Sequence, residues 1–271
     1  MKTAHGIQVG TMRHTLRVLL AGWKAEISAA AEYRGDLVSG TVISALWLAV
    51  AAAPVALVTT HTESADGWTL DRLLFLLSIW YLMDALMWVI LLPNVTQWSQ
   101  AVQTGTLDAV LLQPVNSLIM CSLRAINVRD LPKVLLAGGL AIAAVVIGGS
   151  PTSVAAVLAT AVAVVAGACL MWAFAVLVNY KSLTHVQFEG MFVLDAAHNL
   201  ARVPTTLYGP VIRFVLTLLP VTFITTVPAE IFFGVTAPWF AIVSVAVAVV
   251  VVFFTFRLWR HELKGYVGAM T

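Results

Sequence analysis

An all-α integral membrane protein is the fold class this sequence predicts, and three observations predict it. Of 271 residues, 61% are hydrophobic and only 10% are charged, where a soluble domain carries roughly 25% charged residues. Several stretches are long and apolar enough to cross a bilayer. The basic residues gather in alternate connections between those stretches. One water-soluble core cannot absorb this much apolar surface. The net charge of +2 gives no electrostatic footprint for nucleic acid.

Residues 11–36 read as an amphipathic helix. Leu16, Leu19, Leu20, Trp23, Ile27 and Ala30 share one face by i, i+3, i+4 spacing, with Arg13, Arg17 and Lys24 along its flank. That is the pattern of a helix lying in the membrane surface. Arg17 interrupts the first apolar patch and no small-residue cleavage site follows, so a secretory signal is not expected. Residues 37–60 are uncharged and form the first expected span, about 36 Å long at ~1.5 Å per residue. The second covers 73–92, contains Asp84, and is expected to end at Pro93. Spans at 134–149 and 153–180 flank a Gly-Gly-Ser-Pro turn, and small residues such as Gly138, Gly139 and Gly167 predict a closely packed hairpin. A polar break follows at 181–189, then an unusually polar fifth span at 188–208. Residues 210–233 form two short apolar pieces punctuated by proline, including Pro220. Their length predicts a re-entrant hairpin rather than a crossing. The sixth span is 237–256, followed by a basic tail.

Six crossings put both termini on one side. With the N-terminus inside, the inner segments hold Lys2, Arg13, Arg17, Lys24, Arg34, Arg124, Arg129, Lys133, Lys181, Arg257, Arg260 and Lys264, leaving only Arg72, Arg202 and Arg213 elsewhere. This bias predicts cytoplasmic termini and a cytoplasmic central loop. The whole chain, 1–271, reads as one domain. Cys121 and Cys169 fall in unrelated settings and predict no disulfide. Trp47, Trp68, Trp172, Trp239 and Trp259 lie mostly near span ends and read as interfacial anchors.

The loop 93–133 is longer than a connection needs. Val95, Trp98 and Val102 mark one side of a first helix that Gly105 can end. Thr106 can cap a second, short helix over 107–112, with Asp108 in its first turn and Pro114 beyond its end. Such a helix would carry Leu107, Leu111 and Leu112 outward as apolar knobs.

The run Gly105-Thr106-Leu107-Asp108, then Leu111-Leu112-Gln113-Pro114-Val115-Asn116-Ser117-Leu118, resembles the signature of bacterial ABC-2-type exporter permeases. The amphipathic N-terminal helix, the six spans, Leu216-Thr217-Leu218-Leu219-Pro220 and the basic C-terminus extend the resemblance over nearly the whole chain. Gln113 departs from the pattern, standing where that family often has a basic residue. The resemblance implies a permease of the bacterial cytoplasmic membrane, in which Gly105, Leu107, Asp108, Leu111, Leu112, Gln113 and Pro114 form a coupling element docked on a separate ATPase. It implies two ATPase copies that hold ATP and Mg, a second permease (identical or a sister chain), export of an amphiphilic drug, lipid or peptide, and an outer re-entrant hairpin.

The chain has no phosphate-cradling loop and no nucleophile-elbow or His-Glu-x-x-His motif. It is therefore expected to be no enzyme by itself and to hold no cofactor or metal. Asp195, His198, Asn199 and Arg202 fall on one face of the fifth span. Intramembrane ionisable groups mark pathways or self-satisfied networks. These four, with Asp84 and Pro220, are the candidate pathway or gate. The network alternative joins Asp195 to Arg202 through Asn199. For Asp84, between Trp80 and Trp88, the alternatives are an indole or hydroxyl hydrogen bond and a pairing with an arginine of another span or subunit. A different functional class, an ion-coupled secondary transporter or intramembrane enzyme, would use Asp84 and Asp195.

Overall fold

The structure, a computed structural model, describes residues 12–30, 32–61, 67–148, 150–183 and 190–265. Every regular element within them is helical. In chain order these are α1 (Met12–Ala30), α2 (Arg34–His61), α3 (Leu70–Leu86), a π-helical turn (Met87–Leu91), α4 (Leu92–Gln103), α5 (Leu107–Leu111), α6 (Ser117–Leu123), α7 (Pro132–Ile147), α8 (Val154–Asn179), α9 (Met191–Leu200), α10 (Pro210–Leu218), α11 (Thr226–Phe232) and α12 (Phe240–Gly265). Five helical stretches are long and apolar enough to cross a membrane: α2, α3 through α4, the segment ending in α7, α8 and its extension, and α12.

The expected break at Pro93 does not occur. Helix runs on from Leu70 to Gln103, 34 residues. A proline inside a helix removes one N–H and strands the carbonyl four residues back. Here the π turn sits just before Pro93, and the carbonyl of Val89, four residues back, accepts the backbone N–H of Asn127 at 2.7 Å. The next carbonyl, Ile90, accepts the Asn94 amide at 2.6 Å. Thus the helix passes its proline, and the vacated acceptor anchors the loop that leads into α7.

α3 is the central helix. Its inner face joins α8 and α11 in the main core, where Phe75 stacks on Phe232 at 4.0 Å and Leu76, Met83, Leu170 and Met171 are buried. α7 packs along α3 and α8 along α12. The close α7–α8 hairpin expected from the glycines is not formed. Nothing lies within 4 Å of a side chain built at Gly138 or Gly139, whereas Gly167 receives the backbone of Ile224, next to α11. The 210–233 region therefore wedges against α8 and takes the close approach that α7 was expected to make. Gly149, in the expected turn, lies outside the described residues.

α4, α6, the end of α8 and the end of α12 meet at one end of the bundle. Trp98 meets Trp259 edge-on at 4.9 Å, and Trp259 donates to Ser117 Oγ at 3.2 Å. α1 lies against this end. Trp23 donates to the Leu123 carbonyl at 2.9 Å and Glu26 accepts the Ile126 N–H at 2.7 Å, while Leu16, Leu20 and Ile27 remain exposed. One apolar face of α1 is thus free, as an interfacial helix requires. α1 ends at Ala30 and α2 already begins at Arg34, earlier than the expected boundary at 36. The opposite end joins the start of α8 to α11, through Thr152 N–H and the Phe232 carbonyl.

The fifth span, 188–208, is not one helix. α9 has only 10 residues, about 15 Å at ~1.5 Å per residue, half of a hydrocarbon layer of roughly 30 Å. Turns and a 3-10 segment at Thr205–Leu207 follow; Phe188, Glu189 and most of the polar break lie outside the described residues. Gly190, beside the end of α8, has no room for a side chain against the Val178 carbonyl. α10 and the helix that ends at Phe232 bend by 76° at Pro220.

Candidate functional site: a charged cavity between α2, α3, α7 and α9

A cavity of about 830 Å³ opens along the side of α3. Its walls follow helix periodicity. Gly40, Ile43, Trp47 and Val50 line it from α2, and Trp80, Asp84 and Trp88 from α3 and the π turn. Asp195, His198, Asn199 and Arg202 line it from α9 and the turn beyond, Arg129 and Asp130 from the 3-10 turn before α7, and Lys133 from the start of α7. Five of the six expected pathway residues therefore share one space. Pro220 does not line it; it forms the corner before Val221, which packs with Leu216 against Leu77, Trp80 and Tyr81.

Asp84 is the hub. Its Oδ2 accepts from Lys133 Nζ at 2.8 Å, and its Oδ1 lies 3.4 Å from His198 Nε2. The partner is thus a lysine of the next span and not an arginine, with a histidine of α9 opposite. Neither indole donates to Asp84. Trp80 donates to the His198 carbonyl at 2.8 Å, and its ring stacks on the His198 ring at 4.7 Å. Tyr81 donates to the Ser44 carbonyl, tying α3 to α2. Lys133 also meets Asp130 at 3.5 Å and sits 4.9 Å from the Trp88 ring centre. Desolvating both charges is costly, so a pair this buried holds only when good geometry and further hydrogen bonds compensate.

The turn that delivers Lys133 is built locally. Asn127 is held by Val89 through its N–H, and its side chain donates to Asp130 at 2.7 Å. Asn94 accepts the Ala125 N–H at 2.9 Å and donates to the Ala125 carbonyl at 2.8 Å. Gly40 lets this turn touch α2, since any side chain there would strike the Arg129 carbonyl.

The α9 side is different. Asn199 donates to the Asp195 backbone carbonyl at 2.9 Å, not to its carboxylate. Arg202 lies 5.9 Å from the Trp80 ring centre. The expected Asp195–Asn199–Arg202 network is not made, and among the described residues the Asp195 carboxylate has no ion-pair partner. Sequence reasoning missed Lys133, Asn94, Asn127 and Gly40. For Lys133 the available signal was a cation one residue after a helix-starting proline.

The central loop departs from expectation in two respects. Gly105, at φ +71°, ends α4. Thr106 makes no cap bond; its hydroxyl meets Thr104 at 2.9 Å. Leu107 is no knob. It is 1% exposed, inside a cluster with Trp98, Leu118 and Trp259. Leu112 is 80% exposed, Pro114 is exposed, and Asp108, Leu111 and Gln113 are half-buried. Cys121, under this loop, has its thiol pushed up to about 12 by burial; both it and Cys169 are free. Of the expected interfacial tryptophans, Trp68 and Trp259 are buried instead, Trp68 donating to Thr206 at 2.9 Å.

Multiple apolar crossings around a polar lateral cavity define a multi-pass membrane protein of transport type. Residues 45–269 match the family described as ABC-2 family transporter protein, and the chain belongs to that family. It is accordingly an ABC transporter permease that works with an ATPase in a membrane. No curated protein and no solved structure matches it.

Proposed function

We propose that this chain is the membrane subunit of an ATP-driven exporter, with both termini and the 93–133 loop on the cytoplasmic side of a bacterial membrane. A separate ATPase docks on α5 and the residues after it, and the cavity beside Asp84 is part of the export path. Besides family membership, the observation that carries this reading is one continuous helix. Trp80 and Asp84 at the cavity and Gln103 next to the docking element belong to a single 34-residue rod. Leu107 bolts α5 to that rod through Trp98, so a push on Leu112 is delivered to the cavity wall without an intervening hinge. Leu111, Leu112, Gln113 and Pro114 form the contact surface, with Asp108 on its flank, while Gly105 sets the turn and Leu107 the anchor.

ATP and Mg belong to the ATPase, in two copies, and this chain by itself is neither an ATPase nor the holder of a cofactor. A second permease, identical or a sister chain, completes the complex against the exposed faces of the bundle. The substrate is an amphiphile. The 210–233 region serves as a re-entrant hairpin at the outer end. An ion-coupled carrier is less well supported, because the Asp84 charge is already committed to Lys133 at 2.8 Å.

Co-expression with candidate ATPases tests the reading. Leu112→Asp and Leu111→Asp should abolish co-purification and ATP-driven export while the chain stays folded, and Asp108→Arg should weaken both. If complex and export survive Leu112→Asp, the docking assignment is wrong.

A further inference from the structure

A second hollow, of about 550 Å³, opens between α4, α5 and α6 at the end of the bundle that carries the central loop. Its floor is the buried set Trp98, Leu107, Met120 and Cys121. Its rim is polar: Gln97 and Gln100 from α4, Gln113 after α5, and Arg124 at the end of α6. The two cavities differ in charge. Beside Asp84, three carboxylates line the wall together with Arg129, Lys133 and Arg202, so neither sign is selected. Around the second hollow, Arg124 is the one charged residue among the described residues, and no carboxylate of theirs lines it. Asp108, on the short helix α5, is outside the lining.

Arg124 is exposed and makes no ion pair among the described residues. The side-chain amides of Gln97, Gln100 and Gln113 make no hydrogen bond among them either. A guanidinium presents its donors as a planar fork that matches a carboxylate, and each free amide adds N–H donors beside it. An anion entering here meets a cation with no competing partner, and nothing in the lining repels it. The hollow is also continuous with the docking surface proposed above, because Gln113 belongs to both and Ala109 and Val110 of α5 line it. A partner seated on Leu111, Leu112 and Pro114 therefore borders its mouth.

We propose that the hollow receives an acidic side chain, Asp or Glu, projecting from the ATPase, with its carboxylate on Arg124 and the Gln97, Gln100 and Gln113 amides around it. This rests on the reading that an ATPase docks on the central loop, and it adds the chemistry of the partner's surface. The apolar Leu112 supplies contact area, and Arg124 supplies register, since charged groups across an interface govern specificity and association rate.

The test uses the full-length chain co-expressed with the ATPase that co-purifies with it. The Arg124→Lys complex is treated with a water-soluble carbodiimide, which condenses an amine with a carboxylate in direct contact, and the joined peptides are read by mass spectrometry. Position 124 should be joined to an Asp or Glu of the ATPase, and adding Leu112→Asp should abolish the product. Arg124→Glu should weaken the complex on the order of tenfold or more, because like charges then face each other. Changing the identified acid to Arg should restore it. Arg124→Gln should weaken the complex less and reduce its sensitivity to salt. Thermal melts of each variant confirm the fold. Unchanged affinity in Arg124→Glu, no joined product, or a product within the permease chain alone would overturn the proposal. So would loss of bound phosphatidylglycerol from Arg124→Glu with the complex intact, read by native mass spectrometry, which makes the hollow a lipid headgroup site. The two readings fail distinguishably. A complex lost in Leu112→Asp but indifferent to Arg124→Glu keeps the docking element and removes the acid. A chain that no ATPase joins removes both.

Discussion

Asp84 and Asp195 are both carboxylates on walls of one cavity, yet their surroundings are opposite. Asp84 is buried on α3, salt-bridged to Lys133 and faced by His198. Asp195 is exposed on α9 and unpaired among the described residues. A charge that must be present for the bundle to hold together acquires partners from neighbouring helices. An exposed charge carries no such requirement. The contrast separates a charge that ties α3 to α7 from one on α9 that has no ion-pair partner among the described residues, and it can be broken by mutation.

The largest effect should come from Asp84. Asp84→Ala strands the buried Lys133 with only Asp130, and removing one partner of a buried pair costs ~3–5 kcal/mol. Lys133→Met should cost a similar amount. The double variant Asp84→Leu/Lys133→Met should be more stable than either single variant, because no buried charge remains unpaired. Thermal unfolding in detergent reads all three. Should Asp195→Asn prove as destabilising as Asp84→Ala, the division between the two walls collapses.

Next in size is a parallel contrast in the central loop. Leu107 is buried and Leu112 is 80% exposed, although sequence spacing made both of them knobs. Leu107→Ala should cost ~2–5 kcal/mol, as buried Leu→Ala changes do, and should loosen α5. Leu112→Ala should leave the melting temperature unchanged and lower ATPase affinity. A Leu107→Ala variant with unchanged melting would mean that α5 is not bolted to α4.

Much of this was legible in the sequence because apolar length and helical spacing are local. Five of the six expected spans follow from apolar length, the free face of α1 and the shared face of Asp195, His198, Asn199 and Arg202 from the 3.6 period, and the role of Gly105 from glycine's tolerance of positive φ. What was not legible depends on groups far apart in the chain. Pro93 reads as a stop because proline strands a carbonyl; only the distant Asn127 N–H makes that tolerable. The glycines of α7 read as a helix contact, but the 210–233 wedge occupies the face of α8 they would have met. Asp84 could not announce Lys133, 49 residues away, since pairing across helices leaves no periodic trace.

The smallest effect concerns reactivity and isolates burial from charge. Cys121 lies beneath the loop with its thiol pushed up to about 12 by burial, only weakly offset by Arg124. An ordinary thiol gains thiolate as pH rises from 7 to 9 and alkylates correspondingly faster. Cys121 should stay protonated across that range, so its slow labelling by a charged maleimide should not accelerate. The sign for stability follows. The unfolded thiol ionises near its ordinary value while the folded one does not, so this group lowers stability progressively as pH climbs from about 9 toward 12. Cys121→Ala should remove that part of the alkaline loss. Docking of an ATPase on Leu112 should leave labelling of Cys121 unchanged, since Cys121 is already buried in the free chain. Rapid labelling in the free chain, suppressed by the ATPase, would instead show that the loop opens when unloaded and that the rod and its bolt are not one rigid piece.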